Sequence, residues 1–355
     1  MPEAESISQA HLATGRAVDQ LRRQLGIVFQ EDNGALLGAC PIEGVTEGLL
    51  SKLRALPGSR LHLLLTGARA RSLGLETKAA ALLDAQDLSL NEMLALADPL
   101  ADDKDVPEVT PLPGMPSQDM LLTLAKYASL LPALLTVESD SLPADWLRVA
   151  EADVRAYWAA PPLDIVALTE ASLPIEGAER ATLTCFRQRF GTSVHLALAI
   201  GDMAETPLVR IHSSCITGDI LGSLRCDCGD QLKLALQQIS AAGSGLLLYL
   251  HQEGRGIGIA NKLRAYRLQE RGIDTYEANA MLGFDGDERD FSIAAALLKK
   301  LGVSNIRLLT NNPHKMAAIE KAGIKVAERV PLVVKSGKHN HGYLEAKGKK
   351  AGHLF

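Results

Sequence analysis

Three of the five cysteines lie in the neighbouring runs Leu208-Val209-Arg210-Ile211-His212-Ser213-Ser214-Cys215-Ile216-Thr217-Gly218-Asp219 and Ser223-Leu224-Arg225-Cys226-Asp227-Cys228-Gly229. The apolar start of the first run predicts a β-strand over Leu208–His212 that leads into the cysteines. Three thiolates suit a soft, tetrahedral metal such as Zn²⁺, and no fourth cysteine follows nearby, which leaves a coordination position for water. An open site of this kind indicates hydrolytic chemistry. The alternative is three buried small apolar residues, but the polar neighbours of the cysteines disfavour it.

The composition is that of an ordinary globular protein. The chain has 355 residues, of which 47% are hydrophobic and 22% charged, and this length predicts two domains. A net charge of −5 gives no reason to expect binding to nucleic acid or to an anionic membrane. No apolar run reaches the roughly 18 residues that a transmembrane helix needs. Clustered cysteines favour reduced thiols, and the chain start, with Glu3 and Glu5, does not resemble a signal peptide, so we expect a cytoplasmic protein.

The apolar patterns predict an α/β fold with α+β character, divided into domains over residues 1–170 and 171–355. A helix is expected over Ala10–Leu25 with Ser8 as its N-cap. Strands are expected at Ile27–Phe29, Ala35–Ala39 and Leu61–Leu65, and one further helix is expected at Val45–Leu56. The prolines between Pro99 and Pro116 predict a loop, and Pro161-Pro162 and Pro174 bracket the expected hinge.

Beyond the hinge, the pattern predicts a mixed sheet flanked by helices, with the zinc site at the end of one strand. Ala181–Phe190 and Ser193–Ile200 predict a hairpin around Gly191. Further strands are expected at Leu208–His212, Leu246–Leu250 and Ile306–Leu309. Helices followed by a glycine are expected at Asp230–Ala242, Ile259–Arg271, Asp290–Leu301 and Pro313–Ala322. The basic, glycine-rich tail from Lys335 is predicted to be mobile.

Two junctions between a strand and a helix are suited to binding phosphate. Gln252–Gly258 contains three glycines and Arg255, which together offer backbone N–H groups and a bidentate cation to an anion. A tight turn would explain the glycines equally well. In the second junction, Thr310 and Asn312 precede Lys315, which falls in the first helical turn, where a cation is unfavourable unless an anion is bound. N-capping by Asn312 explains the asparagine but not the lysine, so the two junctions together favour a phosphorylated ligand.

Two further groups of residues have both a structural and a functional interpretation. Asp287-Glu288-Arg289-Asp290-Phe291 precedes a predicted helix and is either a solvated capping segment or part of the site. Arg210 and His212 share one face of the strand that ends at the cysteines. His212 is either a core histidine, a residue that orients the metal ligands, or a catalytic group, and it is not counted as a ligand.

Taken together, these motifs resemble GTP cyclohydrolase II, the zinc enzyme that opens the guanine ring in the first step of riboflavin synthesis. The resemblance covers residues 171–355. It rests on the two cysteine runs, on Gln252–Gly258, and on the motifs Asn261-Lys262-Leu263-Arg264-Ala265-Tyr266, Asp274-Thr275-Tyr276-Glu277-Ala278-Asn279, Asp287–Phe291 and Leu309-Thr310-Asn311-Asn312-Pro313.

The resemblance implies a role for each matching residue. It makes Cys215, Cys226 and Cys228 the zinc ligands, Asp287 the proton acceptor and Arg289 the proposed nucleophile, with Tyr266 in the active site. The residues that would contact GTP are Arg210, Ile211, His212, Ser213, Ser214, Gln231, Glu253, Gly254, Arg255, Thr275, Thr310 and Lys315. It also implies one Zn²⁺ per chain, Mg²⁺ with the triphosphate, release of formate and pyrophosphate, and a homodimer. Because a guanidinium stays protonated near neutral pH, Arg289 is equally well interpreted as an electrostatic clamp.

The runs Gly15-Arg16-Ala17-Val18 to Leu25 and Leu64-Leu65-Thr66-Gly67-Ala68-Arg69-Ala70 to Leu73-Gly74-Leu75 have the texture of a dihydroxybutanone phosphate synthase, which the first half resembles. It departs from that family at the metal site. The family has a dense acidic loop after its first strand, whereas this chain has Gln30-Glu31-Asp32-Asn33-Gly34, which is a poor Mg²⁺ site. We therefore expect a non-catalytic domain. In the second half, Ser214 stands where the cyclohydrolase family has Glu. Two alternatives therefore remain open. The first is a diverged cyclohydrolase that opens the ring only partly or acts on another purine nucleotide, and the second is a nucleotide sensor without turnover.

Overall fold

The computed structural model describes residues 2–77, 79–101, 106–113, 115–159, 165–188 and 191–334. These residues form two compact units. The first unit contains the described residues up to position 159 and the later segment Ile257–Glu288. The second unit contains the described residues between 165 and Gly256 and those from Arg289 onwards. Each unit contains a seven-stranded mixed sheet with helices, which confirms the predicted two-domain α/β mixed-sheet class. The expected hinge at Pro161-Pro162 and the tail from Lys335 lie outside the described residues.

The sheet of the first unit has the strand order β5-β4-β3-β6-β2-β1-β7. Its strands are β1 (Ile27–Gln30), β2 (Leu36–Pro41), β3 (Arg60–Leu65), β4 (Ala81–Asp84), β5 (Pro111–Pro113), β6 (Ala133–Glu138) and β7 (Leu147–Ala150). Only β1 and β7 pair in parallel; the other neighbours are antiparallel. Leu64 and Leu134 pack into one apolar cluster, and Leu63 and Leu135 into another. Because adjacent side chains of a strand point to opposite faces, both faces of this sheet are covered.

The helices of the first unit come from two distant parts of the chain. They are α1 (Pro2–Arg22), α2 (Glu47–Arg54), α3 (Gly67–Ser72), α4 (Leu90–Ala97), α5 (Pro116–Tyr127), α6 (Glu151–Ala159), α8 (Gly258–Glu270) and α9 (Thr275–Met281). The prediction of Ser8 as an N-cap is wrong, because Ser8 lies inside α1. The proline-rich stretch is also more ordered than predicted: Pro111 and Pro113 lie in the edge strand β5, where a missing N–H is tolerated, and Pro116 begins α5.

The sheet of the second unit has the strand order β14-β13-β11-β12-β10-β9-β8. Its strands are β8 (Ile165–Ser172), β9 (Ala181–Gln188), β10 (Val194–Ile200), β11 (Leu208–Ser213), β12 (Gly245–Leu250), β13 (Asn305–Leu309) and β14 (Lys325–Val330), and its helices are α7 (Cys228–Ala241), α10 (Ser292–Lys300) and α11 (Pro313–Lys321). The hairpin predicted around Gly191 is confirmed by the antiparallel pairing of β9 with β10. Apolar residues of α10 and α11 cover one face, and those of α7 cover the other.

The site-bearing edge of this sheet follows from its parallel core. β11 pairs in parallel with β12 on one side and with β13 on the other. The carboxyl ends of these three strands therefore meet at one edge, and each continues directly into a segment singled out in the sequence. Among the described residues, no helix is both long and apolar enough to cross a membrane.

Candidate metal centre and nucleotide site

The three cysteines converge at the end of β11. Their Sγ atoms all lie within 4.8 Å of one another, and those of Cys215 and Cys226 are 3.6 Å apart. A tetrahedral zinc with Zn–S bonds of roughly 2.3 Å requires thiolates about 3.8 Å apart, so the cluster fits this ion. Cys215 and Cys226 are buried and Cys228 is half-buried at the start of α7. The geometry supports a metal centre built from all three predicted ligands.

A glycine in the loop allows the thiols to approach each other. Residues Ile216–Ile220 form a single turn of π-helix, and Gly218 lies in it. A Cβ atom on Gly218 would lie 2.5 Å from Cys226 Sγ and 3.2 Å from Cys215 Sγ. No side chain fits between these sulfur atoms, which gives the glycine of the Thr217-Gly218-Asp219 sequence a steric role.

Asp219 organises the residues behind the cysteines. Its buried carboxylate accepts hydrogen bonds from Tyr249 Oη (2.9 Å) and from the backbone N–H of Cys215 (3.0 Å), and it lies 3.1 Å from His212 Nε2. The rings of His212 and Tyr249 stack with centroids 5.5 Å apart. Burial lowers the pKa of His212, although Asp219 opposes this effect, and burial raises the pKa of Tyr249. The sequence analysis assigned no role to Asp219 or Tyr249, because the parallel register that aligns His212 with Tyr249 is not visible in the sequence.

Two buried cations lie at the same edge of the sheet. Arg210 donates from Nη1 to the carbonyl of Leu309 (2.9 Å) and from Nη2 to Gln231 Oε1 (2.6 Å). Lys315 Nζ donates to the carbonyl of Ile211 (2.9 Å). Burial lowers the pKa of Arg210 to about 10, which still leaves the guanidinium charged at neutral pH. Both cations are buried, and together they place positive charge at this edge, which is suited to an anion.

The segment before α10 adds a third cation. The guanidinium of Arg289 lies 5.0 Å and the ammonium of Lys315 5.1 Å from the ring centroid of Phe291. Asn312 caps α11 as predicted, since its side-chain oxygen accepts from the N–H groups of His314 and Lys315. Thr310 is buried, and its hydroxyl accepts the N–H of Asn312. The second junction is therefore both an N-cap and a position for a buried lysine.

The Gly-rich junction contacts the cysteine loop. Glu253 accepts hydrogen bonds from the backbone N–H of Ile216 (2.6 Å) and of Gly254 (2.9 Å). Gly254 and Arg255 both have left-handed backbone angles, with φ near 62° and 61°. For a non-glycine residue this conformation is strained, and such strain is concentrated at functional sites. The Ser214 hydroxyl accepts the N–H of Gln252 (3.2 Å), which joins this junction to the end of β11.

Several buried polar atoms around β11 have no hydrogen-bond partner among the described residues. They are Arg210 Nε, His212 Nδ1 and Ser213 Oγ, together with Gln252 Oε1. Buried polar atoms are nearly always paired, so each of these requires an explanation. Three of the four belong to the stretch that the resemblance assigns to substrate contact.

The other three assigned residues belong to the first unit. Tyr266 lies on α8, with the ammonium of Lys262 5.9 Å from its ring centroid. Thr275 begins α9 after its N-cap Asp274, and its hydroxyl accepts from Gln269 Nε2 (3.3 Å). Asp287 follows α9 in the segment that closes the first unit at Glu288.

The chain is similar to known proteins over nearly its whole length and, more strongly, over its second half. The profile of the family described as GTP cyclohydrolase II matches residues 166–331. The chain is 39% identical to the GTP cyclohydrolase-2 of Azospirillum brasilense, over 97% of this chain and 94% of that protein. It is 57% identical to the GTP cyclohydrolase-2 of Shigella boydii over 45% of this chain and 83% of that protein. It is also 39% identical to the riboflavin biosynthesis protein RibBA of Phocaeicola vulgatus over 76% of this chain and 74% of that protein.

The two mixed sheets and the thiol cluster define an α/β protein with a candidate metal centre. Since the similarity to one cyclohydrolase extends over nearly the whole length of both chains, the chain belongs to the GTP cyclohydrolase II family of hydrolases, whose members include proteins of riboflavin biosynthesis.

Proposed function

We propose that this chain catalyses the hydrolytic opening of the imidazole ring of GTP. Formate and pyrophosphate leave, and the product is 2,5-diamino-6-ribosylamino-pyrimidinone 5'-phosphate. The observation that carries the proposal is the meeting of a three-thiol cluster with the buried cations Arg210 and Lys315 at one sheet edge. A chain of this family with a metal centre beside an anion site is suited to a nucleoside triphosphate.

The metal proposal rests on the thiol geometry. Cys215, Cys226 and Cys228 would hold one Zn²⁺ per chain. The ion would supply Lewis acidity that activates water for attack on the carbon between the imidazole nitrogens of guanine. Asp219 fixes the backbone at Cys215 and, through Tyr249 and His212, the wall of the site. His212 presents its unpartnered Nδ1 as a hydrogen-bond acceptor when Nε2–H donates to Asp219.

The cations would bind the triphosphate. Arg210, Arg255, Lys315 and Arg289 exceed what a monophosphate requires, and Mg²⁺ with the triphosphate would neutralise further charge as pyrophosphate leaves. Asp287 would accept a proton from the attacking water, and Tyr266 would contact the substrate. Arg289 would act as a clamp rather than as a nucleophile, because a guanidinium stays protonated near neutral pH. The remaining contacts with GTP would come from Ile211, Ser213, Ser214, Gln231, Glu253, Gly254, Thr275 and Thr310.

We further propose that residues 171–355 are the cyclohydrolase domain, that residues 1–170 are a non-catalytic domain related to dihydroxybutanone phosphate synthase, and that the protein works as a cytoplasmic homodimer. The family resemblance supports the dimer. The contacts of Glu31 and Asp32 support the loss of the N-terminal activity: Ser117 Oγ donates to Glu31 (2.7 Å), and Arg155 pairs with Asp32 (2.8 Å).

The test is release of formate and pyrophosphate by the full chain with GTP, Zn²⁺ and Mg²⁺. Cys226→Ser should remove both the zinc and the turnover, whereas Cys185→Ser, at a half-buried cysteine on β9, should change neither. GMP should be a poor substrate, and Lys315→Ala should weaken GTP binding more than Lys321→Ala at the exposed end of the same helix.

Each outcome of this test has a distinct meaning. Full zinc content and normal turnover in Cys226→Ser would refute the metal assignment, and equal turnover of GMP and GTP would refute the triphosphate site. A formamide product without free formate would favour the diverged cyclohydrolase that Ser214 suggests. GTP binding without any product would favour the nucleotide sensor.

A further inference from the structure

Helix α8 is held by charged residues from the N-terminal half of the chain. Arg264 on this helix pairs with Glu43 (Nη2–Oε1, 2.6 Å) and with Asp98 (Nε–Oδ2, 3.3 Å). The second oxygen of Glu43 accepts the backbone N–H of Leu131 (2.8 Å). All three charged side chains are largely shielded from solvent, with 15–23% of their surface exposed. A partly buried network of this kind orients its members more strongly than an isolated surface pair does.

Apolar and backbone contacts fix the same helix. Leu131 packs in one cluster with Ile257, Ala265 and residues of α9. Asn261 is fully buried and donates to the carbonyl of Ser129 (3.2 Å). A Cβ atom on Gly258 would lie 2.8 Å from Ser129 Cβ, so the backbones approach closely where α8 begins.

The segment after α9 is held by a positively charged residue of the N-terminal half, Lys126. Lys126 on α5 pairs with Glu288 (2.7 Å) and with Asp285 (3.1 Å). Glu288 Oε1 also accepts the backbone N–H of Asp285 (2.8 Å), which closes the loop on itself. At the end of α9, the buried Arg69 donates to the carbonyl of Met281 (3.3 Å). Two acids of the N-terminal half, Glu43 and Asp98, thus pair with the cation Arg264 of the segment 257–288. Conversely, the cation Lys126 of the N-terminal half pairs with acids of that segment.

We propose that Glu43 and Lys126 are positioning residues for the cyclohydrolase reaction, Glu43 through α8 and Tyr266, and Lys126 through Glu288 and the adjacent Asp287. This inference rests on the proposed function, because the roles of Tyr266 and Asp287 come from it. The N-terminal half would then contribute to the reaction although it contains no reaction centre of its own. A small displacement of a reacting group lowers the reaction rate strongly but changes the stability of the protein little, so we expect the effect mainly on kcat.

The test compares Lys126→Met and Glu43→Gln in the full chain, since the first keeps most of the unbranched side chain and the second keeps its shape, while both remove the charge. We expect kcat per folded molecule to fall by about tenfold or more in each, with the zinc content unchanged. The matched controls are Lys52→Met and Glu47→Gln, at exposed positions of α2, which should retain the kcat of the parent. Lys126→Arg keeps the positive charge that faces Glu288 and Asp285, so it should retain most of the activity that Lys126→Met loses.

Hydrogen exchange provides a readout that does not depend on turnover. The amides of residues 257–288 should exchange faster in Lys126→Met and Glu43→Gln than in the parent. An unchanged kcat in both variants, or a loss in Lys126→Arg as large as that in Lys126→Met, would overturn the positioning role. If the parent protein releases no formate, it is the proposed function that fails. Faster hydrogen exchange in the variants would then show only that Glu43 and Lys126 hold the segment 257–288. That result would overturn their role in this reaction.

Discussion

Ser214 lies next to the first cysteine, where its hydroxyl accepts the N–H of Gln252 and its own N–H donates to the carbonyl of Leu250. It is buried, with 8% of its surface exposed. A carboxylate at this position would add negative charge beside the thiolates and could accept a proton or an N–H group of the base. The serine thus fixes the loop after β12 but supplies no charge.

We expect Ser214→Glu to keep the proposed zinc, since the proposed ligands are the three thiolates and not Ser214, and to raise the rate of formate release several-fold or to complete the opening of the ring. Formate yield and the absorbance spectrum of the product measure this effect. Ser304→Glu, at an exposed serine of the same unit, is the control for added charge. An unchanged rate and product in Ser214→Glu would mean that the position tolerates any small polar residue.

His195 predicts a specific dependence of stability on pH. Its ring is buried on β10, Nδ1 accepts the N–H of His251 (3.2 Å), and burial lowers its pKa to about 4. The unfolded chain, with an ordinary histidine pKa near 6.5, binds this proton more readily, so the folded state loses stability as the pH falls from about 6.5 to 4. The contribution lost over this window is about 3 kcal/mol.

In His195→Gln, the difference in unfolding free energy between pH 7 and pH 4.5 should therefore shrink by about 2 to 3 kcal/mol. Denaturant unfolding at the two pH values measures it, and His314→Gln, at an exposed histidine of α11, is the control. An equal pH dependence in parent and variant would show that His195 does not control acid sensitivity.

The π-turn Ile216–Ile220 shapes the cysteine cluster of the candidate metal centre through Gly218. We expect Gly218→Ala to weaken zinc binding by about ten- to a hundredfold, because the added methyl group must push the thiols apart. Competition with a chelator measures the affinity. Gly48→Ala is the control, since Gly48 is an exposed residue of α2 and a Cβ there lies 4.0 Å from its nearest neighbour. Unaltered zinc affinity in Gly218→Ala would mean that the loop relaxes without cost.

The strands and helices around the site were largely predictable because local signals mark them. The apolar runs of β11, β12 and β13, the N-cap Asn312 and the glycines after the helices each act over a few residues. Several elements of the first unit escaped prediction. The strand β5 is proline-rich, and α3 has only six residues, so neither shows a full period of its own.

Within the site, the sequence predicted the cysteines but not the contacts behind them. The spacing of Cys215, Cys226 and Cys228 suffices to indicate a metal, since the ligand type is visible in the residues themselves. Asp219 gains its importance from partners on β11 and β12, and the register of these strands comes from packing of the whole sheet.

The N-terminal half should have no synthase activity of its own. Glu31 and Asp32 are engaged by Ser117 and Arg155, and two such carboxylates do not make a cage for Mg²⁺. We expect the purified protein to form no dihydroxybutanone phosphate from ribulose 5-phosphate, whatever the Mg²⁺ concentration. Detection of that product above a blank without enzyme would overturn this prediction.

The division of the molecule into two units was predictable from chain length, whereas the membership of residues 257–288 was not. The pair of Arg264 with Glu43 joins positions 221 residues apart, and no local pattern encodes such a pair. Only the packed apolar cluster around Leu131 and the charges beside it reveal which unit this segment completes.

This interleaving has a consequence for how the protein is made. During synthesis at about 5–20 residues per second, the N-terminal sheet leaves the ribosome long before its partners on α8 and α9 exist. Until Glu288 emerges, Leu131 lacks the apolar residues that cover it, and Glu43 and Lys126 lack their opposite charges. The first unit therefore finishes folding only after residues 161–256, which belong to the second unit, have been translated. Nascent chains stalled before Ile257 should expose this surface to proteases and chaperones, and chains stalled well beyond Glu288 should not.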